Sequence, residues 1–289
     1  RVASKLVKIE YEESEPIVTI KAAKKNKKNL KFVTDPLNLR RGDFEKAFKN
    51  SPHRLTGEVE IGGQDHFYLE GHIAVAIPKE DGDIRVLSST QHPSEVQHMV
   101  AKALGLPSSS VEVAVRRMGG GFGGKETQSN LFAVLSAIAA IRLGKTVKIR
   151  PDRDDDMIIT GKRHPFIARY KVGFEKSGKI NALKAILSAQ CGHSADLSGP
   201  ITDRALFHVD NCYYIPNINL KSEPLFTNTV SNTAFRGFGG PQGILVGERV
   251  IEEVAIYIGK DPLEVRKINL YGTKKNNITP YHQKIRDNI

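Results

Sequence analysis

Hydrophobic positions along this chain change period repeatedly, and each change marks an element. Ile73 to Ile77 and Ile84 to Leu87 cluster or alternate as strand positions do, and Val111 to Val115 alternates again. Between them, Pro93 to Leu104 carries helical spacing, with a proline in the opening turn where its missing N–H has no intrahelical partner to lose. A second helix is predicted from Glu126 to about Leu143, with Gly144 as its C-terminal stop. Val147 to Ile149, Phe166 to Phe174 and Ile180 to Ala189 read as strands, the last two joined through Ser177-Gly178 in a hairpin. A helix near Ile201 to His208, a strand near Ile218 to Phe226, and helices opening at Gln242 and Pro262 complete the body. Strands and helices are mixed without the strict alternation of a doubly wound sheet. The predicted fold class is therefore α+β, with mixed sheets and packed helices.

The body begins near Leu55. Ahead of it, residues 1–20 read as the tail of an earlier domain and residues 21–54 as a lysine-rich connector with a short segment ending near Pro52. The first residue is Arg1 rather than Met and an amphipathic run is already under way at Val2, Leu6 and Val7, so the chain is expected to begin inside a longer protein.

Composition narrows the class without naming a function. The 289 residues are 39% hydrophobic, with 43 Lys+Arg against 32 Asp+Glu, which excludes a disordered or collagen-like chain and leaves a formal charge of +11. The densest basic stretch, Lys21, Lys24, Lys25, Lys27, Lys28 and Lys31, has no arginine and no interleaved aromatic before Phe32. It reads as a solvated linker, so no nucleic-acid partner is expected. The longest apolar run, Leu131 to Ile141, is broken by Ser136 and followed by Arg142, which makes it a buried helix rather than a membrane span. The N-terminus mixes Lys5 and Lys8 with Glu10, Glu12 and Glu13 and does not read as a signal peptide. Cys191 and Cys212 form neither a CxxC pair nor an iron–sulfur ligand set. Both are expected to be buried thiols of a cytoplasmic protein with no membrane partner.

The chemistry concentrates in two glycine loops. Arg117 to Glu126 lies between a strand and a helix, where exposed backbone N–H groups make an anion site. Gly119, Gly121 and Gly124 fit GxGxxG, and Gly119 to Lys125 fit the glycine and lysine positions of a phosphate-binding P-loop. Both matches are weak. A P-loop needs Ser or Thr after the lysine and this chain has Glu126, whose carboxylate repels phosphate; a dinucleotide fold needs an acid ending the next strand, and Asp152 lies too far on. More specific is the echo of Gly121-Phe122-Gly123-Gly124 as Gly237-Phe238-Gly239-Gly240. Two such turns can clasp one extended anionic cofactor, or serve only to let helix and strand meet.

Longer stretches carry a resemblance. Gly62 to Glu70, Ser89-Thr90-Gln91, Arg117 to Glu126, Arg163 to Phe166, Arg204 to His208 and Asn232 to Gln242 occur in the order found in the molybdopterin-binding region of the xanthine dehydrogenase family of molybdenum hydroxylases, which the chain resembles over nearly its whole length. The resemblance implies that residues 1–20 end a preceding α/β hammerhead-like domain and that residues 55–289 are the N-terminal half of the molybdopterin-binding domain. It implies molybdopterin with molybdenum as cofactor, held by its own dithiolene with no side chain of this chain as metal ligand. By the same resemblance Gln91 stands beside the apical oxo group, and Phe122, Gly123 and Arg236 contact the cofactor largely through their backbone. Glu126 and Arg204 take the positions that grip the heterocycle in purine-oxidising members, and Phe238 that of an aromatic meeting the ring. The family's general-base glutamate falls beyond the chain end, so no catalytic residue is assigned. Its 2Fe–2S clusters and FAD belong to other domains or subunits. Implied partners are a purine substrate, the missing C-terminal half, those redox domains and further copies in an oligomer. Two alternatives stay open: an aldehyde or other N-heterocycle hydroxylase on the same scaffold, and a non-catalytic nucleotide-binding or assembly module.

Overall fold

The computed structural model describes residues 3–25 and 30–272. Lys27 and Lys28 of the basic stretch, and everything after residue 272, lie outside the described residues. Two sheets carry the chain. The larger has strand order β1 (Asn38–Arg41), β9 (Asn217–Phe226), β8 (Ile180–Gly192), β7 (Phe166–Phe174), β2 (His53–Ile61), and all its pairs are antiparallel except β8 with β9. The smaller runs β5 (Val111–Ala114), β4 (Ile84–Ser88), β3 (Ala74–Pro78), β6 (Val147–Ile149), with β4 and β5 parallel. Parallel neighbours need a crossover. Helix α3 (Pro93–Leu104) connects β4 to β5, and α6 (Ser198–Phe207) connects β8 to β9.

The cores follow from side-chain alternation. Phe166, Ala168, Tyr170, Val172 and Phe174 occupy every second position of β7 and pack against Val246, Val250, Ile251 and Val254 of α7 (Gly240–Ile258), spaced to lie on one helical face. The smaller sheet buries Ala74, Ala76, Ile84 and Val86 under Val96 and Val100 of α3 and Phe132, Ala133 and Ala137 of α4 (Ser129–Leu143). Mixed sheets covered by helices are the α+β arrangement the pattern predicts.

Some elements escape the sequence pattern, each for a local reason. The segment between residues 21 and 54 contributes α1 (Ile20–Lys25), edge strand β1 and α2 (Phe44–Asn50) to the large-sheet unit. Strand β1 is Asn-Leu-Arg-Arg and shows no apolar alternation, while α2 is held by Asp43, which accepts from the Lys46 N–H at 3.1 Å. Lys24 is half-buried rather than freely solvated: it donates to Glu223 at 2.7 Å and to Ser188 at 2.9 Å. Helix α5 (Arg153–Ile159) has Arg153 and three consecutive aspartates in its first turn and only its last turn is apolar. Helix α4 starts at Ser129 rather than Glu126, because residues 121–127 close tight turns through Gly124 N–H to Gly121 C=O and Glu126 N–H to Gly123 C=O. Finally, Cys191 is buried, which pushes its thiol up to about 12, but Cys212 is exposed. The turn after α6 turns Tyr213 inward, so its neighbour Cys212 points out.

Candidate functional site

The carboxyl ends of both parallel pairs open on one junction. Gln91 follows β4, the first glycine loop follows β5, Asp196 follows β8, and residues 232–239 follow β9. These loops are bonded to one another: Gln91 N–H to Lys125 C=O at 2.9 Å, Arg236 N–H to Phe122 C=O at 2.8 Å, Thr127 Oγ1 to Asp196 Oδ2 at 2.8 Å. Helices α3, α4, α6 and α7 each begin within a few residues of this junction.

The repeated Gly-Phe-Gly-Gly stretches are the same turn built twice. Phe122 and Gly123 have φ of 55° and 100°, Phe238 and Gly239 have 49° and 87°, and each turn closes by an i to i+3 hydrogen bond, at 2.8 Å and 2.9 Å. Two successive left-handed residues define a type I′ turn. Its second position has to be glycine here, since a Cβ on Gly123 would stand 2.7 Å from the Ala234 carbonyl oxygen and one on Gly239 2.0 Å from that of Ile201. Each phenylalanine sits in a conformation costing an L-residue about 1–2 kcal/mol.

Gln91, Phe122, Gly123, Glu126, Arg236 and Phe238, together with Ala234 and Phe235, line a single open pocket of about 420 Å³. The remaining candidate, Arg204, is exposed on α6 beside the second turn, where its Nε would lie 3.9 Å from a Cβ on Gly240; it is not among the lining residues. Gln91 Oε1 accepts from the Gly123 N–H at 2.8 Å and the Lys125 N–H at 3.3 Å. Two backbone donors fix which end of the amide is oxygen, leaving the amide N–H groups without a protein partner among the described residues. Glu126 has no hydrogen-bond donor among the described residues, and burial pushes its carboxyl above the usual carboxylate range. No cluster of three or more His, Cys, Asp or Glu capable of holding a metal ion occurs among the described residues.

Behind the pocket lies a polar framework that sequence reasoning did not single out. Lys125, at the P-loop lysine position, is fully buried and turned away from the pocket: its Nζ donates to Glu70 O at 2.7 Å, Ser89 Oγ at 2.8 Å and Glu70 Oε2 at 3.2 Å, and stands 4.7 Å from the Tyr68 ring centre. Burial pushes Lys125 down and the Glu70 partnership only partly restores it. For Glu70, burial works upward but is outweighed by hydrogen bonds from Ser89, Gly119 and Lys125, leaving its carboxyl below the usual range. His66 bonds through Nε2 to Ala234 O at 2.6 Å, so that nitrogen carries the proton, and its ring stacks on Phe235 at 4.6 Å. Arg163 lies 3.9 Å from the centre of the same Phe235 ring and donates to Arg236 O at 3.0 Å. Glu70, Ser89, His66 and Arg163 all fall within the long motifs, but nothing in sequence distinguishes a charge turned inward from one turned out.

Comparison with known proteins identifies the family and the fold. A model of the family described as molybdopterin cofactor-binding domain matches residues 23–270. The chain is 48% identical over 286 residues to xanthine dehydrogenase/oxidase of Gallus gallus and 45% identical over 284 residues to xanthine dehydrogenase of Drosophila pseudoobscura pseudoobscura. Those alignments take in 99% and 98% of this chain, but the chain spans only 21% of the length of either relative. Among solved structures, the aldehyde oxidoreductase from Desulfovibrio gigas superposes with a TM-score of 0.86 at 27% identity, over 96% of this chain and 31% of that one. Quinoline 2-oxidoreductase from Pseudomonas putida 86 shares the fold, with a TM-score of 0.78 at 24% identity over 94% of this chain and 36% of that one. With the matched span covering both sheets and the pocket between them, the chain belongs to the molybdopterin cofactor-binding domain family.

Proposed function

We propose that this chain is the part of a xanthine dehydrogenase-type molybdenum hydroxylase that grips molybdopterin and sets a purine against it. The observation carrying this reading is the single pocket that unites Gln91, Phe122, Gly123, Glu126, Arg236 and Phe238. The residues suit the cofactor. A free amide N–H on Gln91 is a donor for an oxo group, and the bare backbone of the Phe122-Gly123 turn lets main chain approach an anionic group closely. When bound, that group supplies the metal centre at which a ring carbon is hydroxylated and its electrons are taken up.

The protein's own residues orient the substrate. Glu126, without an internal donor, accepts from or donates to the N–H and carbonyl edge of the ring, and Phe238 packs against its face. Arg204, exposed on α6 beside the second turn, would reach in from there to stabilise negative charge growing on the substrate oxygen. The general base, the 2Fe–2S clusters and FAD are supplied by parts of the enzyme outside this chain. The C-terminal half of the domain covers apolar surface such as Leu131, Leu135 and Leu143 on α4, and the assembled enzyme is an oligomer. Two free thiols suit a cytoplasmic setting.

The test is substrate profiling of the complete enzyme. Glu126→Val and Arg204→Met are expected to lower kcat/KM for xanthine by roughly a hundred- to a thousand-fold, the worth of a ~2–4 kcal/mol transition-state contact, with little change for small aldehydes. Equal losses on both substrates would move the assignment to an aldehyde-type hydroxylase. A nucleotide-binding module fits poorly, because Lys125 is occupied beneath the loop.

A further inference from the structure

We propose that Asp196 is the positioning residue of the pocket, tying the segment that carries Glu126 and the loop after β9 that carries Arg236 and Phe238 to the start of its own helix, which carries Arg204, while standing as a like charge beside Glu126. Its carboxylate accepts four hydrogen bonds from three directions. Oδ2 receives Thr127 Oγ1 and Gln128 Nε2, both at 2.8 Å. Oδ1 receives Thr233 Oγ1 and the Leu197 N–H, both at 2.7 Å. Thr127 directly follows Glu126, Thr233 lies three residues before Arg236, and Leu197 caps α6, which bears Arg204.

One further observation points the same way, beside a φ of 43° at Asp196 in the left-handed region that aspartate adopts readily. This clasp continues outward, because Gln128 uses its other amide end to accept from the Gly161 N–H at 3.0 Å, and Thr127 and Thr233 touch each other at 3.1 Å. Only a carboxylate satisfies this arrangement: an asparagine would aim an N–H at one of the donors. The titratable groups facing Glu126 are His92 and Glu95, paired at 2.8 Å at the start of α3, and Asp196. Burial raises the Glu126 carboxyl, His92 opposes that, and Asp196 and Glu95 add to it.

The proposal rests on the reading that Glu126 meets the substrate, and its test separates the two. In the complete enzyme, Asp196→Asn keeps the side chain's size and tolerates the left-handed backbone. Hydrogen exchange of peptides covering residues 126–128 and 232–236 is expected to quicken about fivefold, the effect of losing roughly one hydrogen bond in each. The limb of the kcat/KM pH profile for xanthine that vanishes in Glu126→Gln is expected to move to lower pH, since a neighbouring negative charge has gone. Unchanged exchange together with an unmoved limb would overturn the proposal. Should Asp196→Asn fail to fold, Thr233→Val removes one donor and keeps the charge: faster exchange at residues 126–128 supports the clasp, and parental exchange there overturns it. If instead Glu126→Gln turns xanthine over like the parent, the substrate reading falls, while the exchange result still judges the clasp.

Discussion

Replacing Lys125 by methionine tests whether the buried framework behind the pocket holds it together. Methionine matches the length and much of the volume of the lysine stem, so the perturbation is loss of the ammonium and its three hydrogen bonds, to Glu70 O, Ser89 Oγ and Glu70 Oε2. Hydrogen bonds from a charged donor are each worth about 1.5–3 kcal/mol, and breaking one side of a buried ion pair costs about 3–5 kcal/mol. Two features reduce the sum. The Glu70 side chain is 38% exposed and keeps its Ser89 and Gly119 donors, and the ammonium no longer has to be buried. A loss of about 2–4 kcal/mol remains, or roughly 5–10 °C in Tm for a chain of this size. Thermal and urea unfolding of Lys125→Met, Glu70→Gln and the double variant would measure it, with a coupling of about 1–3 kcal/mol expected between the two sites. Because the Lys125 backbone bonds Gln91 on both sides, molybdenum content should fall along with stability. A loss below about 0.5 kcal/mol with additive single effects would refute this account. So would phosphate stabilising the parent but not Lys125→Met, which would mean that the lysine faces a ligand after all.

Gly123→Ala forces a Cβ to within 2.7 Å of Ala234 O at φ of 100° and should cost about 2–4 kcal/mol and most cofactor retention, whereas Gly105→Ala, at φ of 67° with open space around it, should cost about 1 kcal/mol; similar Tm values for the two would refute the close-packing argument. Burial pushes His164 down to about 3 and His72 down to about 4, so both are neutral in the folded chain while their unfolded counterparts take up protons below 6.5. Their contribution is therefore complete above pH 6.5 and is lost as pH falls toward 4 and then 3. His72→Phe, which keeps the stacking on Phe132 seen at 4.9 Å and removes two unpartnered ring nitrogens, should flatten urea midpoints between pH 6.5 and 4; an unchanged slope would remove His72 from this role.

Much of the fold is legible in the chain because its central elements bury one face apiece. Strand β7 and helices α3 and α7 carry periods of two and of three to four that allow little else. Elements with little or no such face, β1, the two-turn α2 and α5, are held by edge pairing or by an aspartate cap. Their positions depend on partners far along the chain, as β1 does on β9. Of the pocket, six of the eight lining residues were legible as candidates within long motifs, and Arg204 was legible but stands apart on α6.

By itself the sequence determined the cofactor-binding family, the alternation that builds the cores, and the repeated turn whose glycines have no substitute. Only the tertiary structure decided that Lys125 faces inward, that the Gln91 oxygen is taken by two backbone N–H groups, and that Asp196 joins two distant segments to its own helix. The physical reason is the same in each case. Where a polar group points is settled by which donors and acceptors lie opposite it once the chain is folded, and those partners stand 32 and 34 residues away for Gln91 and up to 69 for Asp196.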